Sequence, residues 1–596
     1  MTTYIAPVRD MQFVIRELAG LERLNALPGY EEVTLELADA VLEEAAKLAS
    51  EVLAPLNKTG DEQGASLTRD GVVAAQGFGA AYRQFVENGW NGLGGDSEYG
   101  GQGLPGLIAA ATVEIWNSAN MAFALCPLLT AGAMEALKQH GARELKARYL
   151  PKLVSGEWTG TMNLTEPQAG SDLSAVRTKA VPEGDHYRLY GQKIFITWGD
   201  HDMTDNVVHL VLARTPDAPE GVRGISLFLV PKVLIDADGN LGERNDVRCV
   251  SIEHKLGIHA SPTCVMSFGD AQGAIGYLVG QENKGLAHMF TMMNEARQKV
   301  GLQGLGIAER AYQAARDYAK ERVQGRPAGQ KSGDRVTIIH HPDVRRMLLT
   351  MKSQIEAMRA FGYVLAADLD LAHKHPDEAE RRRRQARVDL LIPVLKGWCT
   401  ELAVEVTSLG VQVYGGMGFI EETGACQYLR DARIAPIYEG TTGIQAADLV
   451  GRKLPADKGW AMAALIGEMR AVEPQLAQAD GADFASIRAA LRDGVLALEQ
   501  ATQWVLQTIE QDPDATLAAS FSYLMLVGYV CGGWQMARAA VAARACLQSG
   551  EHKGFYRAKI ATATFYAEQI MPKANALLSA VKSGASTALA LGEECF

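Results

Sequence analysis

The sequence lacks the cysteine patterns that mark a metal site or a disulfide scaffold. Its 596 residues include eight cysteines, but these form no CxxC pair, no zinc-ligand spacing and no dense framework. We therefore predict reduced thiols and no metal site. The first 20 residues also lack the apolar middle of a signal peptide, because Arg9, Asp10, Arg16 and Glu17 interrupt them. A cytoplasmic location is the expectation that follows.

The sequence has no excess of positive charge. Lysine and arginine number 58 against 70 aspartates and glutamates, which gives a net charge of −12. General nucleic-acid binding is therefore not expected, because it uses Lys and Arg to displace phosphate counterions. Hydrophobic residues make up 47% and charged residues 21% of the chain, which indicates a folded globular protein. At about 100 to 200 residues per domain, the chain is long enough for several domains.

Long apolar runs are scarce. Residues 515–537 carry no charge and are long enough to span a bilayer, and no second such segment is apparent. Ser520, Ser522 and Gln535 lower the hydrophobicity of this run. We predict a buried helix and no membrane span, because a helix that is apolar all round also fits the middle of a helical domain.

Helical and β-prone segments alternate along the chain. Apolar residues at helical spacing predict helices over 37–56 (ending near Pro55), 80–88, 107–125, 131–140 and 144–154. Short β-prone runs predict strands over 187–197, 207–214, 225–231 and 263–268. Helical patterns return over 289–322, 344–373, 383–409 and after Lys453. The predicted domains are an N-terminal extension (1–35), a helical domain (36–159), a β domain (160–282), a second helical domain (283–452) and an appended helical domain (453–596).

Two groups of glycines resemble ligand loops but have simpler explanations. Residues 101–106 satisfy G-x-G-x-x-G, yet they lie among helices and do not follow a strand, so a surface turn is predicted instead of a dinucleotide site. Gly301, Gly304 and Gly306 lie within a helical pattern, which predicts close helix packing.

Four segments contain residues suited to chemistry. The loop 165–172 (TEPQAGSD) combines hydroxyls with a permissive glycine and can hold an anion, although an ordinary turn is an equal alternative. The segment 191–198 (GQKIFITW) ends a strand with aromatic residues suited to a planar ring, or merely caps a strand edge. Three glycines in 412–419 allow close approach of a ligand to the backbone. In 430–445, Glu439 stands before a Gly-Thr-Thr-Gly loop, where a lone glutamate is usually solvated.

In this order and spacing, the four segments resemble the acyl-CoA dehydrogenase family of flavoproteins over about residues 35–450. Residues 437–445 (IYEGTTGIQ) resemble the IYEGT segment that carries the family's catalytic base, and the loop 165–172 is similar to the flavin loop TEPxAGSD. Residues 99–104 resemble a surface signature of the family. The N-terminal stretch 4–13 and the domain after Lys453 resemble a long bacterial subgroup that includes 3-(methylthio)propanoyl-CoA dehydrogenases.

The resemblance implies a mainly α fold with a central β-barrel domain, a four-helix domain and, here, an appended C-terminal helical domain. It implies FAD as the cofactor of a homodimer. The residues expected to contact the subunit's own FAD are Met162, Leu164, Thr165, Gly170, Ser171, Phe195, Thr197, Thr441 and Gly443. Those expected to contact the FAD of the neighbouring subunit are Arg322, Gln412, Gly415 and Gly416. The expected substrate-side residues are Ser171, Asn294, Arg297 and Gly440.

The activity implied by the resemblance is α,β-dehydrogenation of an acyl-CoA thioester to a trans-2-enoyl-CoA in fatty acid β-oxidation. Glu439 is the expected base, because Ala296 stands where other members carry it; neighbouring Glu295 is the alternative. The thioester oxygen is expected to accept hydrogen bonds from the Glu439 N–H and a flavin ribityl hydroxyl. An electron-transfer flavoprotein is the expected acceptor. An acyl-CoA oxidase and a non-catalytic helical scaffold are the alternatives, and acyl chain length stays open.

Overall fold

The structure, a computed structural model, describes residues 3–236, 239–548 and 550–596. Its helices are α1 (Val8–Phe13), α2 (Leu21–Leu24), α3 (Leu35–Leu48), α4 (Pro55–Gln63), α5 (Phe78–Glu87), α6 (Gly106–His140), α7 (Arg143–Ser155), α8 (Gly285–Glu321), α9 (Pro342–Lys374), α10 (Glu378–Tyr414), α11 (Ala425–Ala432), α12 (Thr442–Asp448), α13 (Leu454–Ala456), α14 (Trp460–Arg470), α15 (Glu473–Ala477), α16 (Ala482–Thr508), α17 (Pro513–Leu547), α18 (Lys553–Phe565) and α19 (Lys573–Ala588). Its strands are β1 (Ser66–Thr68), β2 (Gly71–Val73), β3 (Thr159–Asn163), β4 (Lys179–Glu183), β5 (His186–Thr197), β6 (Val207–Ala213), β7 (Ser226–Pro231), β8 (Val233–Ile235), β9 (Leu241–Arg244), β10 (Val247–Ile252), β11 (Thr263–Phe268) and β12 (Ala274–Leu278).

The chain divides into two structural units. The helical unit comprises residues 1–46, 105–118 and 300–596, and the β unit comprises residues 47–104 and 119–299. The order of the elements along the chain confirms the predicted order of helices, strands and helices. The domain boundaries given above stay predictions.

Eight strands of the β unit form one curled sheet. Their order is β10-β11-β5-β12-β7-β6-β3, with β4 paired to β5; β3 and β6 are parallel. The segment after β3 returns to β5, where the Ile194 N–H donates to the Thr165 carbonyl at 2.9 Å. This bond closes the path from β3 through β6, β7, β12 and β5, so the sheet curls into the expected barrel.

Strands β6 and β7 are buried along their whole length because each faces two apolar cores. Leu210 and Leu212 belong to a core that includes residues of α6 and α7. The intervening Val211 and Ala213 belong to a second core, together with Phe228. This division follows from the two-residue period of a strand.

Two buried histidines lie beside the parallel strands. His201 Nε2 is 2.9 Å from Thr159 Oγ1, and His209 Nδ1 is 2.7 Å from Thr161 Oγ1. Burial, followed by the nearby Lys232 ammonium, lowers the pKa of each histidine to about 3. Both are therefore neutral in the folded protein near neutral pH.

Sequence patterns missed four strands of this sheet: β3, β4, β10 and β12. Their segments lack a continuous β-branched or aromatic run; β3, for example, reads TGTMN. Pairing with the neighbouring strands compensates for weak intrinsic propensity.

The helix predicted over 37–56 is also corrected. Helix α3 ends at Leu48, a π-helical turn follows, and α4 begins at Pro55. Pro55 does not end a helix but begins α4, because it occupies the first helical position, where its missing N–H costs no hydrogen bond. The helices predicted over 107–125 and 131–140 form one helix, α6, with a kink at Asn120.

The apolar run 515–537 lies within α17 and is buried, as predicted. Helix α17 crosses α10 through a glycine: a Cβ on Gly528 would lie 2.2 Å from Trp398 Cγ. The expectation that no second such segment exists was wrong. Both α6 and α17 are long and apolar enough to cross a membrane, but 83% and 78% of their most apolar windows are buried, as in core helices.

Glycines on α8 confirm the predicted close packing. A Cβ on Gly304 would lie 2.8 Å from the Cys399 carbonyl oxygen, and a Cβ on Gly301 would lie 2.8 Å from Leu395 Cγ. Helix α8 therefore contacts α10 along a strip of small residues, so the two helices hold a close and fixed separation.

A cluster of buried charges ties the N-terminal segment to the long helices. Arg359 on α9 donates to Glu114 at 2.6 Å, to Glu309 at 2.7 Å and to Asp10 of the N-terminal segment. Asp10 also pairs with Lys559 of the appended region. Three carboxylates thus surround one guanidinium, and each charge is compensated inside the helical unit.

Candidate functional site

Glu439 lies in the loop between α11 and α12, with its side chain half-buried. Its backbone φ is +56°, a left-handed conformation that non-glycine residues rarely adopt. Such conformations persist only where the surroundings enforce them, and they cluster at functional sites. The loop from Pro436 to Thr442 is called the base loop below.

A hydrogen-bond chain anchors the base loop to α8. The Tyr438 hydroxyl donates to Gln303 Oε1, and Gln303 Nε2 donates to Asn117 Oδ1 at 3.0 Å. Burial, followed by the charge of Glu439, raises the pKa of Tyr438 well above its usual range. The tyrosine is therefore a fixed hydrogen-bond donor beside the predicted base.

Two further side chains hold the carbonyls of the base loop. Lys396 on α10 donates to the Gly440 carbonyl at 2.7 Å. Gln445 on α12 donates to the Glu439 carbonyl at 3.2 Å and to the Gly440 carbonyl at 3.4 Å. Sequence analysis assigned no role to Lys396 or Gln445. A single lysine within the apolar run LLIPVLKGWC was the available signal, because a lysine is rarely buried without partners that compensate its charge.

The predicted flavin loop in the β unit is organised around the buried Glu166. Glu166 accepts hydrogen bonds from Lys193 at 2.8 Å, from the Thr178 hydroxyl at 2.6 Å and from the Arg177 N–H at 2.8 Å. Burial alone would raise its pKa, but Lys193 and these donors hold the pKa of Glu166 at about 2. Lys193 also donates to the Leu164 carbonyl at 3.0 Å. The Glu166–Lys193 pair is a feature that sequence reasoning missed.

Phe195 lies at an irregularity of β5. The pairing register with β11 shifts between Cys264 and Met266, opposite Phe195, and the φ of Phe195 is +59°. The bulge turns the ring outward, so Phe195 is 58% exposed. The hydrogen bond between the Ile194 N–H and the Thr165 carbonyl keeps this part of β5 next to the predicted flavin loop.

The other predicted residues of the β unit lie on the same loop and strands or on α8. Gly170 and Ser171 are exposed at the tip of the flavin loop, Met162 and Thr197 are half-buried, and Leu164 is buried. Asn294 is half-buried and Arg297 is buried on α8. The alternative base, Glu295, forms an ion pair with Lys299 at 2.7 Å.

The residues assigned to the neighbouring subunit's FAD meet at one end of the helical unit. Tyr318 of α8 stacks on Tyr414 of α10 with ring centroids 4.1 Å apart. This stacking brings the end of α8, with the exposed Arg322, next to the end of α10 and the exposed Gln412. Gly415 and Gly416 follow there, and a Cβ on either would meet no atom within 4 Å.

The base loop lies far from that end. It is anchored at Lys396, 16 residues before Gln412 on the same helix, which corresponds to about 24 Å at 1.5 Å per residue. Thr441 caps α12 by accepting from the Ile444 N–H at 3.2 Å, and Gly443 lies in its first turn. Glu439, Gly440, Thr441 and Gly443 therefore form one group, and the Arg322 group forms another.

Features of both units fit a flavin cofactor. Phe195 presents an exposed ring, and Gly415 and Gly416 leave space along an exposed backbone. Beside the base loop, Gln445 Oε1 is buried and has no hydrogen-bond partner among the described residues. Taken one by one, these features suit parts of a flavin cofactor: a planar apolar surface suits a ring system, an open backbone allows close approach, and an unsatisfied acceptor suits a donor.

Family models match most of the chain. They are the acyl-CoA dehydrogenase N-terminal domain (residues 36–157), middle domain (161–271) and C-terminal domain (283–454), and the acetyl-CoA dehydrogenase C-terminal like domain (465–592). The chain belongs to the acyl-CoA dehydrogenase family. It is a flavoprotein oxidoreductase of this FAD-binding family, and the predicted family, enzyme class and cofactor are confirmed.

Relatives within the acyl-CoA dehydrogenase family match over nearly the whole length. A 3-methylmercaptopropionyl-CoA dehydrogenase of Ruegeria pomeroyi is 51% identical over 575 residues, which cover 96% of this chain and 97% of the relative. A butyryl-CoA dehydrogenase of Syntrophomonas wolfei is 36% identical, with 100% and 99% covered. The crystal structure of a Bacillus anthracis acyl-CoA dehydrogenase complexed with FAD has the same fold, with a TM-score of 0.74 over 96% of this chain and 92% of that one at 21% identity.

Proposed function

We propose that the protein removes the α-proton of an acyl-CoA thioester through Glu439 and yields a trans-2-enoyl-CoA. The observation that carries this proposal is the geometry of the base loop: a half-buried carboxylate on a left-handed backbone, held by Tyr438, Lys396 and Gln445. FAD, when bound, accepts the hydride that leaves the β-carbon. Glu295 on α8, which forms an ion pair with Lys299, is the alternative base.

The chain's own residues would bind and orient the reactants. Thr165, Ser171 and Thr197 supply hydroxyls, Met162, Leu164 and Gly170 supply backbone near the flavin loop, and Phe195 supplies a ring surface. Thr441 and Gly443 would also contact the subunit's own FAD. Asn294, Arg297 and Gly440, with Ser171, would contact the substrate. A base held in one orientation abstracts a proton faster than a mobile one, because less freedom is lost on reaching the transition state.

Arg322, Gln412, Gly415 and Gly416 are proposed to bind the FAD of the partner in a homodimer. Two facts support this assignment: the group is exposed at the surface, and it lies about 24 Å along α10 from the base loop. Subunits carrying Glu439→Gln can be mixed with subunits carrying Arg322→Ala. A hybrid dimer would regain one working site if Arg322 serves the partner, and no working site if Arg322 serves its own subunit.

The substrate class is proposed from the 51% identical relative. We expect 3-methylmercaptopropionyl-CoA to have a higher kcat/KM than butyryl-CoA, octanoyl-CoA or palmitoyl-CoA with an artificial electron acceptor. Electrons are proposed to leave through an electron-transfer flavoprotein in the cytoplasm. The acyl-CoA oxidase alternative predicts stoichiometric hydrogen peroxide without an added acceptor. The scaffold alternative predicts no turnover with any member of the panel.

A further inference from the structure

Helix α10, which packs against the base loop, carries a buried ammonium that the proposed reaction does not use. Lys396 is 0% exposed and lies within the otherwise apolar stretch 390–399 of α10. Burial of an ammonium is unfavourable unless hydrogen bonds compensate for the lost water. Among its contacts, the Lys396 ammonium donates to the Gly440 carbonyl at 2.7 Å. One hydrogen bond of this ammonium thus goes to the Gly440–Thr441 peptide, one residue beyond Glu439.

The carbonyl that Lys396 contacts belongs to the second of two residues whose backbone conformation is unusual. Glu439 has a φ of +56° and Gly440 a φ of +88°, so two successive residues adopt left-handed conformations. For an L-residue such as glutamate, this conformation is unfavourable and must be enforced from outside. Gln445 also holds this turn by donating to the Glu439 and Gly440 carbonyls, but these hydrogen bonds, at 3.2 and 3.4 Å, are longer than that of Lys396.

Helix α10 contacts the base loop at a second point, a little more than one turn farther along the helix. Glu401 Oε1 accepts from the Thr442 hydroxyl at 2.6 Å. Lys396 and Glu401 therefore fix both ends of the segment Gly440–Thr441–Thr442. The direction of the Glu439 side chain follows from the backbone that these two contacts define.

We propose that Lys396 is a positioning residue for the base: its ammonium enforces the left-handed turn at Glu439 and so fixes where the carboxylate points. The proposal rests on the proposed role of Glu439 as the base. Removal of the ammonium should let the turn relax and misdirect the carboxylate. Substrate affinity should change little, since the substrate need not contact Lys396.

The test compares Lys396→Met, Lys396→Gln and Glu439→Gln, with Lys559→Gln as a matched control. Lys559 is also a buried lysine of the helical unit, but it pairs with Asp10 and Glu356 in the Arg359 cluster. For each FAD-loaded variant, anaerobic flavin reduction is followed over a range of acyl-CoA concentrations, which separates the maximal reduction rate from the apparent substrate Kd. Thermal unfolding is measured in parallel.

Loss of a charge-assisted hydrogen bond predicts a reduction rate about 10- to 100-fold lower in Lys396→Met, with an apparent Kd within about threefold of the wild type. Lys396→Gln retains an N–H donor and should recover part of that rate. Lys559→Gln should lower the melting temperature while its rate stays near the wild-type value.

Two outcomes separate the failure of this inference from the failure of the proposed function. A wild-type reduction rate in both Lys396 variants, beside an inactive Glu439→Gln, would overturn the positioning role alone. An active Glu439→Gln would overturn the proposed base and this inference with it. If Lys396→Met does not fold, Lys396→Gln decides: a reduced rate at unchanged Kd supports the role, and a wild-type rate refutes it.

Discussion

The base loop and the Arg359 cluster both bury charged side chains in the helical unit, but they use them differently. In the cluster, Arg359 is surrounded by Asp10, Glu114 and Glu309, so each charge is satisfied by another side chain. In the base loop, one hydrogen bond of Lys396 goes to the backbone carbonyl of Gly440, and Glu439 is half-buried on a left-handed backbone. Buried charge alone therefore does not indicate a site. A buried charge indicates a site when it holds a strained backbone beside a half-buried carboxylate.

The largest expected effect lies in the base loop. Glu439→Gln removes the proton acceptor while nearly keeping the shape of the side chain, so the rate of flavin reduction should fall by about 10²- to 10⁴-fold. FAD content and melting temperature should stay near the wild-type values. Stopped-flow absorbance under anaerobic conditions measures the rate. Rapid bleaching of the flavin in this variant would show that the base lies elsewhere.

The matching change in the cluster should affect folding and not catalysis. Arg359→Met removes the buried guanidinium that three carboxylates share, which should lower the free energy of unfolding by about 3 to 5 kcal/mol. Denaturant unfolding measures the loss. Arg382→Ala, which removes an exposed ion pair with Glu378, is the control and should cost less than about 1 kcal/mol. Equal losses in the two variants would contradict the structural role of the cluster.

A third change tests the surface group at the far end of α10. Arg322→Ala should weaken FAD binding by about 1.5 to 3 kcal/mol, because a charge-assisted hydrogen bond to phosphate is lost. The flavin-to-protein ratio after dilution and gel filtration measures the effect. Arg346→Ala removes another exposed arginine of the same unit, paired with Asp343, and should keep its FAD. Full FAD occupancy in both variants would remove Arg322 from the cofactor site.

The last expected effect is the pH dependence of stability in the β unit. The pKa of His201 and of His209 is about 3 in the folded chain and 6.5 in an unfolded one, so the folded state binds fewer protons between these values. The free energy of unfolding should therefore fall as the pH drops from 6.5 towards 3, by at most about 1.4 kcal/mol per pH unit for each histidine. His209→Gln should flatten the dependence of melting temperature on pH in this range. The exposed His254 is the control, and an equal flattening in His254→Gln would disprove the assignment.

Much of the fold and of the site was predictable because local signals agreed with the tertiary structure. The long helices α8, α9 and α10 follow from helical patterns in the sequence, and strands β6, β7 and β11 follow from short β-prone runs. Glu439 and the flavin loop were predicted because each lies in a short contiguous motif that resembles one of the family. Strand β3 and the start of α4 at Pro55 were missed, because tertiary pairing and position within the helix overrode local propensity.

The supporting residues of the site could not be predicted, because packing alone brings them to it. Lys396 is 44 residues from Gly440, and Lys193 is 27 residues from Glu166. No local pattern links the members of either pair. Their significance appears only when the helices and strands place a buried ammonium against a specific carbonyl or carboxylate.

The central claim is that Glu439 takes the α-proton, and one measurement isolates that step from hydride transfer. An acyl-CoA with sulfur in place of the β-carbon keeps its α-protons but has no β-hydrogen to lose. Wild-type enzyme loaded with FAD should exchange these α-protons with D₂O, followed by NMR, and Glu439→Gln should exchange them at least about 100-fold more slowly. Exchange at the wild-type rate in Glu439→Gln would contradict the account.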